Sequence, residues 1–396
     1  MVNKIIKRPL TSQKPKLIFF LGEDKYFLSH RLPTANAALK AGFEIYVMCR
    51  DTGVSSEIEK LGFKFIATKY GREASGIIKL FLSIKEVSKT IDFHRPDVVQ
   101  FIGVRNCLLG SLASSTKKSL ITINSINGLG YLFSNKSITA VLLQKFVVLL
   151  LSFFSWLRPG IYFFQNADDK KQFIKNGIKW KKAYLIPGSG VDHTIFKASI
   201  LPQQKQQVIV GMAGRILKIK GVFDLAEAMK LLLLRNLNVK LLLAGDIDPS
   251  NPSSLSIREL QSISEISNIS VLGHVDDMAD FWKGCHIAVL PSHGGEGVPM
   301  ALLQAAAVGR PIITTDTNGN RDICISGENG FLISPKKPDQ IADKIELLAK
   351  SPKLIKKMGL ASSEYIFKHG LTSEDISAKL KCIYEEIKAN LIEKNF

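Results

Sequence analysis

The sequence predicts an α/β protein of two doubly wound, Rossmann-like domains facing one another across a cleft. Three observations point there. Short β-rich runs alternate with helical stretches along nearly the whole chain. The runs are apolar throughout rather than alternately polar, as parallel strands covered by helices on both faces must be. The alternation breaks once, at the polar stretch "FKASILPQQKQQ" (196–207), and then restarts.

In the first half, strands are expected at 16–22, 43–50, 63–69, 97–103, 120–126, 161–166 and 183–188, with helices between most of them, such as "ANAALKAG" (35–42) and "GIIKLFLSIKEVSKTI" (76–91). After the break come strands at 208–214, 239–246, 269–275, 286–291 and 311–316, and a helix at 221–237. The expected organisation is therefore a first domain over 1–195, a linker over 196–207 and a second domain over 208–372. A polar amphipathic helix over 373–396 can pack back across the junction. In such folds ligands bind in the crevice at the carboxyl ends of the strands.

Composition narrows the class. The chain has 396 residues, 46% hydrophobic and 22% charged, which fits a folded protein of two or three domains and excludes a disordered one. Its five cysteines (Cys49, Cys107, Cys285, Cys324, Cys382) form no C-x-x-C pair, against a disulfide framework or zinc site and for a reducing compartment. The opening "MVNKIIKRPLTSQKPK" lacks the apolar core of a signal peptide. The longest apolar stretch, "FVVLLLSFFSWL" (146–157), falls short of the about 20 residues that span a bilayer. It reads as a buried or surface-seated helix, with a monotopic membrane contact as the lesser alternative.

The net charge of +18 is lopsided: residues 1–188 hold 29 Lys and Arg against 12 Asp and Glu, and residues 189–396 hold 24 against 23. A lysine-rich composition would raise both halves. A basic half attracts nucleic acid, an anionic membrane surface or a phosphorylated substrate.

Two glycine-rich turns after strands of the second half supply the chemistry. In "GMAGRILKIKGV" (211–222), Gly211 and Gly214 permit a tight backbone, while Arg215, Lys218 and Lys220 precede a helix start. Glycines, cations and a helix N-terminus together suit a diphosphate, although a glycine turn with solvated lysines would look the same. In "HGGEGVPMALLQAAAVGRP" (293–311), glycines flank Glu296, and Pro299 is placed to open a helix. Backbone N–H groups of Val298, Met300 and Ala301 would then face the cleft as an anion site, with Gly297 freeing the approach. The plainer reading of Glu296 is an acid favoured by the helix dipole. Two phosphate-suited elements in one domain indicate a nucleotide diphosphate.

Weaker candidates remain. Gly22 ends the first strand at the cleft; His30 in "LSHRLP" sits near a helix start and can contact an acceptor, or merely cap and pack. His274 in "LGHVDD" can line a base pocket through its backbone. Asp246 and Asp248 have D-x-D spacing, but a Gly-Asp turn explains them as well. Asp168 and Asp169 most simply open a helix. The sequence has no G-x-S-x-G, H-E-x-x-H or G-K-[ST] pattern to support a hydrolase or NTPase.

The stretches "PSHGGEGVPMALLQAAAVGRPIITTDTNGNRD", "GRILKIKG" and "ENGFLISPKKPDQIADKI" resemble the donor half of glycosyltransferase family 4, of the GT-B fold. "FLSHRLPTANAALKAGFEIYVMC", "INGLGYLF" and "IPGSGVD" resemble the acceptor half of its bacterial polysaccharide and lipid-linked oligosaccharide enzymes. The resemblance implies that Glu296, first of a Glu–seven residues–Glu motif, binds the donor sugar beside the reaction centre. Gln304 stands where the second Glu would hold the nucleotide ribose. Arg215 and Lys220 would neutralise the departing diphosphate. Asn127, in "NSING" (124–128), lies where many relatives carry a cleft histidine, a departure from the pattern.

The implied function is a retaining, hexosyltransferase-type enzyme of cell-surface polysaccharide (O-antigen or capsule) biosynthesis. It would move a sugar from a nucleotide diphosphate, expected to be a UDP-sugar, to a lipid-linked saccharide. It would be cytoplasmic, peripheral on the inner face of the membrane through its basic half, with no nucleic-acid partner, no cofactor and no metal requirement. The alternatives are a nucleotide-sugar epimerase of the same fold and a non-catalytic subunit that binds the nucleotide sugar.

Overall fold

The computed structural model describes residues 14–69, 76–130, 137–202, 207–249 and 251–393. Two parallel sheets organise them. The first contains β1 (Lys16–Glu23), β2 (Glu44–Arg50), β3 (Lys64–Ala67), β4 (Val98–Ile102), β5 (Ile121–Ile126), β6 (Gly160–Phe164) and β7 (Trp180–Leu185), in the order β3-β2-β1-β4-β5-β6-β7. The second contains β8 (Val208–Ala213), β9 (Val239–Ala244), β10 (Ile269–Gly273), β11 (Ile287–Leu290), β12 (Ile312–Thr315) and β13 (Gly330–Ile333), in the order β10-β9-β8-β11-β12-β13. The doubly wound α/β architecture read from the alternation is the one observed.

The central strands are apolar because both of their faces are covered. Along β1, Leu17, Phe19 and Leu21 enter one core and Ile18 and Phe20 the other, as the two-residue period of a strand requires. The strand β13 was not among the expected ones. It has four residues at a sheet edge and pairs only with β12, so it lacks the long apolar run that marks a central strand.

Each sheet reverses its winding beside its first strand, between β1 and β4 and between β8 and β11. Loops leaving two such strands diverge to opposite faces and open a crevice at their carboxyl ends. In the second sheet, those loops are the two glycine-rich turns singled out above.

The segment joining the domains is fastened rather than free, as far as it is described. Arg310, fully buried, donates from Nε to the Trp282 carbonyl and from its terminal nitrogens to Ser199 Oγ (2.6 Å) and the Ser199 carbonyl (3.2 Å). Phe196 and Leu201 pack on the second core. Residues 203–206 of the expected linker lie outside the described residues. The helix Ser373–Glu393 lies on the first domain: Leu380, Ile383, Tyr384 and Ile387 join its core, and the Tyr384 hydroxyl donates to Gln100 Oε1 (2.5 Å).

The apolar stretch at 146–157 belongs to a longer helix, Ile138–Leu157. Its length and composition would suffice to cross a membrane, which corrects the expectation drawn from twelve residues. Ser137 caps its first turn, accepting from the Ala140 N–H. The inner face, with Ala140, Leu151 and Ser155, is buried on the first domain.

Candidate active site

The crevice of the second sheet brings Lys220 and Glu296 together. Lys220 Nζ lies 3.1 Å from Glu296 Oε1, with the side chains only 15% and 18% exposed. The two residues are 76 positions apart, and they meet because β8 and β11 are neighbours in the sheet.

The loop after β8 runs from Gly214 through a single 3-10 turn, Lys218–Lys220, into the helix Val222–Leu234. Gly221 between them has φ of +75°, and a Cβ there would stand 2.1 Å from the Pro291 carbonyl oxygen. Only glycine lets the two loops approach so closely. A second tie is His293, whose N–H donates to the Ile219 carbonyl (2.7 Å) and whose Nε2 meets the Asp224 carboxylate. Arg215 is half-exposed at the rim and paired with Asp248 (2.7 Å). Among the described residues no cluster of three His, Cys, Asp or Glu groups could hold a metal ion.

The second loop ends at the helix Met300–Ala307, with Pro299 as its N-cap and no side chain capping it. Its opening N–H groups, Met300 and Ala301 included, have no intrahelical partner by geometry. Val298 differs: its N–H donates to Gln165 Oε1 (3.0 Å) from the end of β6 in the first domain. Gln304 is half-buried one turn into this helix.

Gln165 belongs to a set that the sequence reading did not single out. Asn166 Nδ2 donates to the Gly297 carbonyl (3.3 Å), and the Gly130 N–H donates to the Gly295 carbonyl (3.2 Å). Gly128 lies so close that a Cβ on it would stand 2.5 Å from the Gly297 nitrogen. The first domain thus grips the backbone on both sides of Glu296. Asn127 joins this set, its Oδ1 3.5 Å from Gln165 Nε2 and its Nδ2 3.4 Å from the Tyr26 hydroxyl. His30 ends the helix Asp24–His30, stacks on Tyr26 at 4.9 Å and accepts or donates at Nδ1 with Ser29 Oγ (2.6 Å). Gly22 is half-buried near the end of β1. His274 stands apart: its side chain is 74% exposed and lies 3.2 Å from the exposed Asp276 carboxylate.

The helix Ala167–Lys175 makes a further bridge. Asp168 pairs with Arg321 (3.0 Å), and Asn318 Nδ2 donates to Asp169 Oδ1 (3.2 Å). The Asp169 carboxyl is 1% exposed, and burial pushes it up to about 6 despite the hydrogen bonds from Asn318 and Asn166. An acid so raised binds more protons folded than unfolded between about pH 4, its unfolded value, and its folded value. It therefore lowers stability as pH rises through that window. Asp169→Asn should gain on the wild type in unfolding free energy as pH climbs from about 4.5 to 7, by at most about 2–3 kcal/mol, read from denaturant melts across that range. A difference that stays constant with pH would refute this account.

The sequence comparisons divide along the same two halves. A family profile described as "Glycosyl transferases group 1" matches residues 207–351, and one described as "Glycosyl transferase 4-like" matches residues 16–155. The chain is a glycosyltransferase built of a glycosyl transferase 4-like domain followed by a glycosyl transferases group 1 domain. This glycosyltransferase is 26% identical over 351 residues, 83% of its chain and 90% of the other, to the N,N'-diacetylbacillosaminyl-diphospho-undecaprenol alpha-1,3-N-acetylgalactosaminyltransferase of Campylobacter jejuni. It is 24% identical over 304 residues, 74% and 76% of the two chains, to the UDP-Gal:alpha-D-GlcNAc-diphosphoundecaprenol alpha-1,3-galactosyltransferase of Escherichia coli. Its fold matches the sucrose-phosphate synthase of Thermosynechococcus elongatus with a TM-score of 0.78 at 16% identity, covering 95% of this chain and all of that one. The glycosyltransferase therefore has the GT-B fold.

One consequence concerns Gln304. If Gln304 holds the donor ribose, as the family resemblance implies, a carboxylate in its place would accept two charge-assisted hydrogen bonds from the ribose hydroxyls, each contributing about 1.5–3 kcal/mol against about 0.5–1.5 for a neutral one. The amide keeps one acceptor and removes a negative charge near a diphosphate. Gln304→Ala should raise the donor KM more than it lowers kcat, since the ribose is remote from the breaking bond. Gln304→Glu should stay active with equal or tighter donor binding. A silent Gln304→Ala or a dead Gln304→Glu would remove Gln304 from the ribose site.

Proposed function

We propose that this glycosyltransferase is a retaining, hexosyltransferase-type enzyme that moves a sugar from a nucleotide diphosphate to a lipid-linked saccharide in cell-surface polysaccharide synthesis. The observation that carries the proposal is the Lys220–Glu296 pair at the crevice between β8 and β11, at 3.1 Å. It joins a cation suited to a leaving phosphate to an acid suited to sugar hydroxyls, next to an uncapped helix N-terminus.

In this reading, Lys220 releases Glu296 when the donor enters and turns to the diphosphate. Arg215, paired with Asp248 at the rim, swings in. The N–H groups of Met300 and Ala301 face the same phosphates. Together they stabilise the charge that grows as the glycosidic bond breaks, so no metal is needed. Glu296, freed, orients the sugar, and the acceptor hydroxyl attacks on the face the diphosphate leaves, its oxygen bonding the anomeric carbon as the sugar–phosphate bond breaks and its proton passing to the departing phosphate oxygen. Gln165, Asn166 and Gly130 hold the Gly295–Val298 backbone while this happens, and Asn127 lies on the acceptor side. A uridine nucleotide and a diphosphate-linked lipid acceptor are the first choices, because the Escherichia coli relative is named for both. The excess of 29 basic over 12 acidic residues in 1–188 draws that half to the anionic inner face of the membrane, where such acceptors reside.

Incubating the protein with labelled uridine-diphosphate sugars and extracted membrane lipids, with and without a metal chelator, tests the reading. Label should pass to lipid in both conditions, with the anomeric configuration kept. An epimerised donor without transfer, or binding without turnover, would replace it by one of the alternatives.

A further inference from the structure

The helix Ile138–Leu157 is apolar on both sides, which a helix seated on a water-facing surface is not. Its inner side rests on the first domain: Ala140, Leu151 and Ser155 are buried, and Ser155 Oγ accepts from the Lys179 N–H (2.9 Å). Its outer side carries Ile138, Leu142, Phe146, Leu149, Phe153 and Trp156, each more than half exposed. These recur at steps of four, four, three, four and three, so they form one stripe along about 30 Å of helix. So large a continuous exposed apolar face marks an interaction site.

Charge selects the partner. Lys145 is the only charged residue in the helix, and it is exposed beside the stripe. Lys118 and Lys179 are exposed near the C-terminal end, where Arg158 fastens the turn before β5 by donating to the Ser114 and Leu120 carbonyls. Two copies meeting through this face would bring like charges together, whereas an anionic leaflet meets apolar stripe and lysines at once. The helix cannot cross the bilayer without stripping its inner face from the domain, so it lies in the plane of the interface.

Position links the face to the cleft. Ser137, the helix cap, is only seven positions along the chain from Gly130, which is bonded to the Gly295 carbonyl. That length of chain spans at most about 25 Å. We propose that the outer face of Ile138–Leu157 sinks into the acyl boundary of an anionic bilayer and seats the cleft beside it. This rests on the lipid-linked acceptor of the previous subsection. It goes beyond attraction by the basic half, because an inserted stripe holds where salt screens charge.

The test uses the full chain with vesicles of phosphatidylcholine alone and mixed with phosphatidylglycerol. The wild type should sediment with the mixed vesicles and retain part of that binding in high salt. The triple variant Phe146→Ser, Leu149→Ser, Phe153→Ser should lose at least tenfold in partitioning while its melting temperature holds. Brominated acyl chains should quench the wild-type tryptophan emission. Trp156→Phe should bind as well as the wild type and lose most of the quenching. Vesicle binding by the triple variant equal to wild type, no acyl quenching, or a dimer that only the triple variant dissolves would overturn the proposal, the last in favour of a second copy. Transfer to a short-chain, water-soluble acceptor should be unchanged in the triple variant. A wild type that binds vesicles but transfers to no lipid-linked acceptor would refute the functional reading and leave the docking face standing.

Discussion

Glu296→Ala should reduce transfer by about 10²–10⁴-fold while shifting the melting temperature by no more than a few degrees. In the proposed reading the carboxylate accepts two hydrogen bonds from the donor sugar, and charge-assisted bonds contribute about 1.5–3 kcal/mol each. Losing both in the transition state corresponds to that range of rate. The fold should tolerate the change, because Lys220 retains 15% exposure and can turn its ammonium to water. Glu296→Gln, which keeps the shape and one acceptor, should fall between. Steady-state transfer beside thermal melts checks this, and a Glu296→Ala enzyme within tenfold of wild type would remove Glu296 from the sugar site.

Lys220→Met should cost about 10²–10³ in kcat/KM, the usual effect of removing one preorganised charge stabiliser at a reacting centre. Methionine keeps most of the buried stem and removes the charge. The loss should track the phosphates: inhibition by the nucleoside diphosphate should weaken with it, and inhibition by the nucleoside monophosphate should barely change. Lys220→Arg should recover part of the rate. Because Lys220 and Glu296 touch, combining Lys220→Met with Glu296→Gln should cost less than the two single effects added. Additive losses, or an unaltered diphosphate inhibition constant, would show that Lys220 acts elsewhere.

The rhythm of apolar runs and helices, the break near 196–207 and the two glycine-rich turns are local features. The sequence by itself determined them, because strand burial and tight turns leave their mark on adjacent residues. Expected strands matched observed ones except at β7, which begins at Trp180 rather than 183, and at β13, whose apolar run of four residues is too short to stand out. What lies far apart in the chain was decided by sheet order. The Lys220–Glu296 pair follows from β8 lying beside β11, and the grip of Gln165 and Asn166 on the Gly297–Val298 backbone joins residues more than 130 positions apart. No periodicity in the sequence encodes such a meeting. In the stretch 293–311 Arg310 and Glu296 are the two charged residues, and nothing adjacent to Arg310 marks it as buried or as tying down Ser199, 111 residues away. The apolar run at 146–157 was plain, but its helix begins at Ile138, and which side faces outward depends on how it packs on the first domain. Burial is a property of the surroundings of a side chain, and only the tertiary structure supplies those.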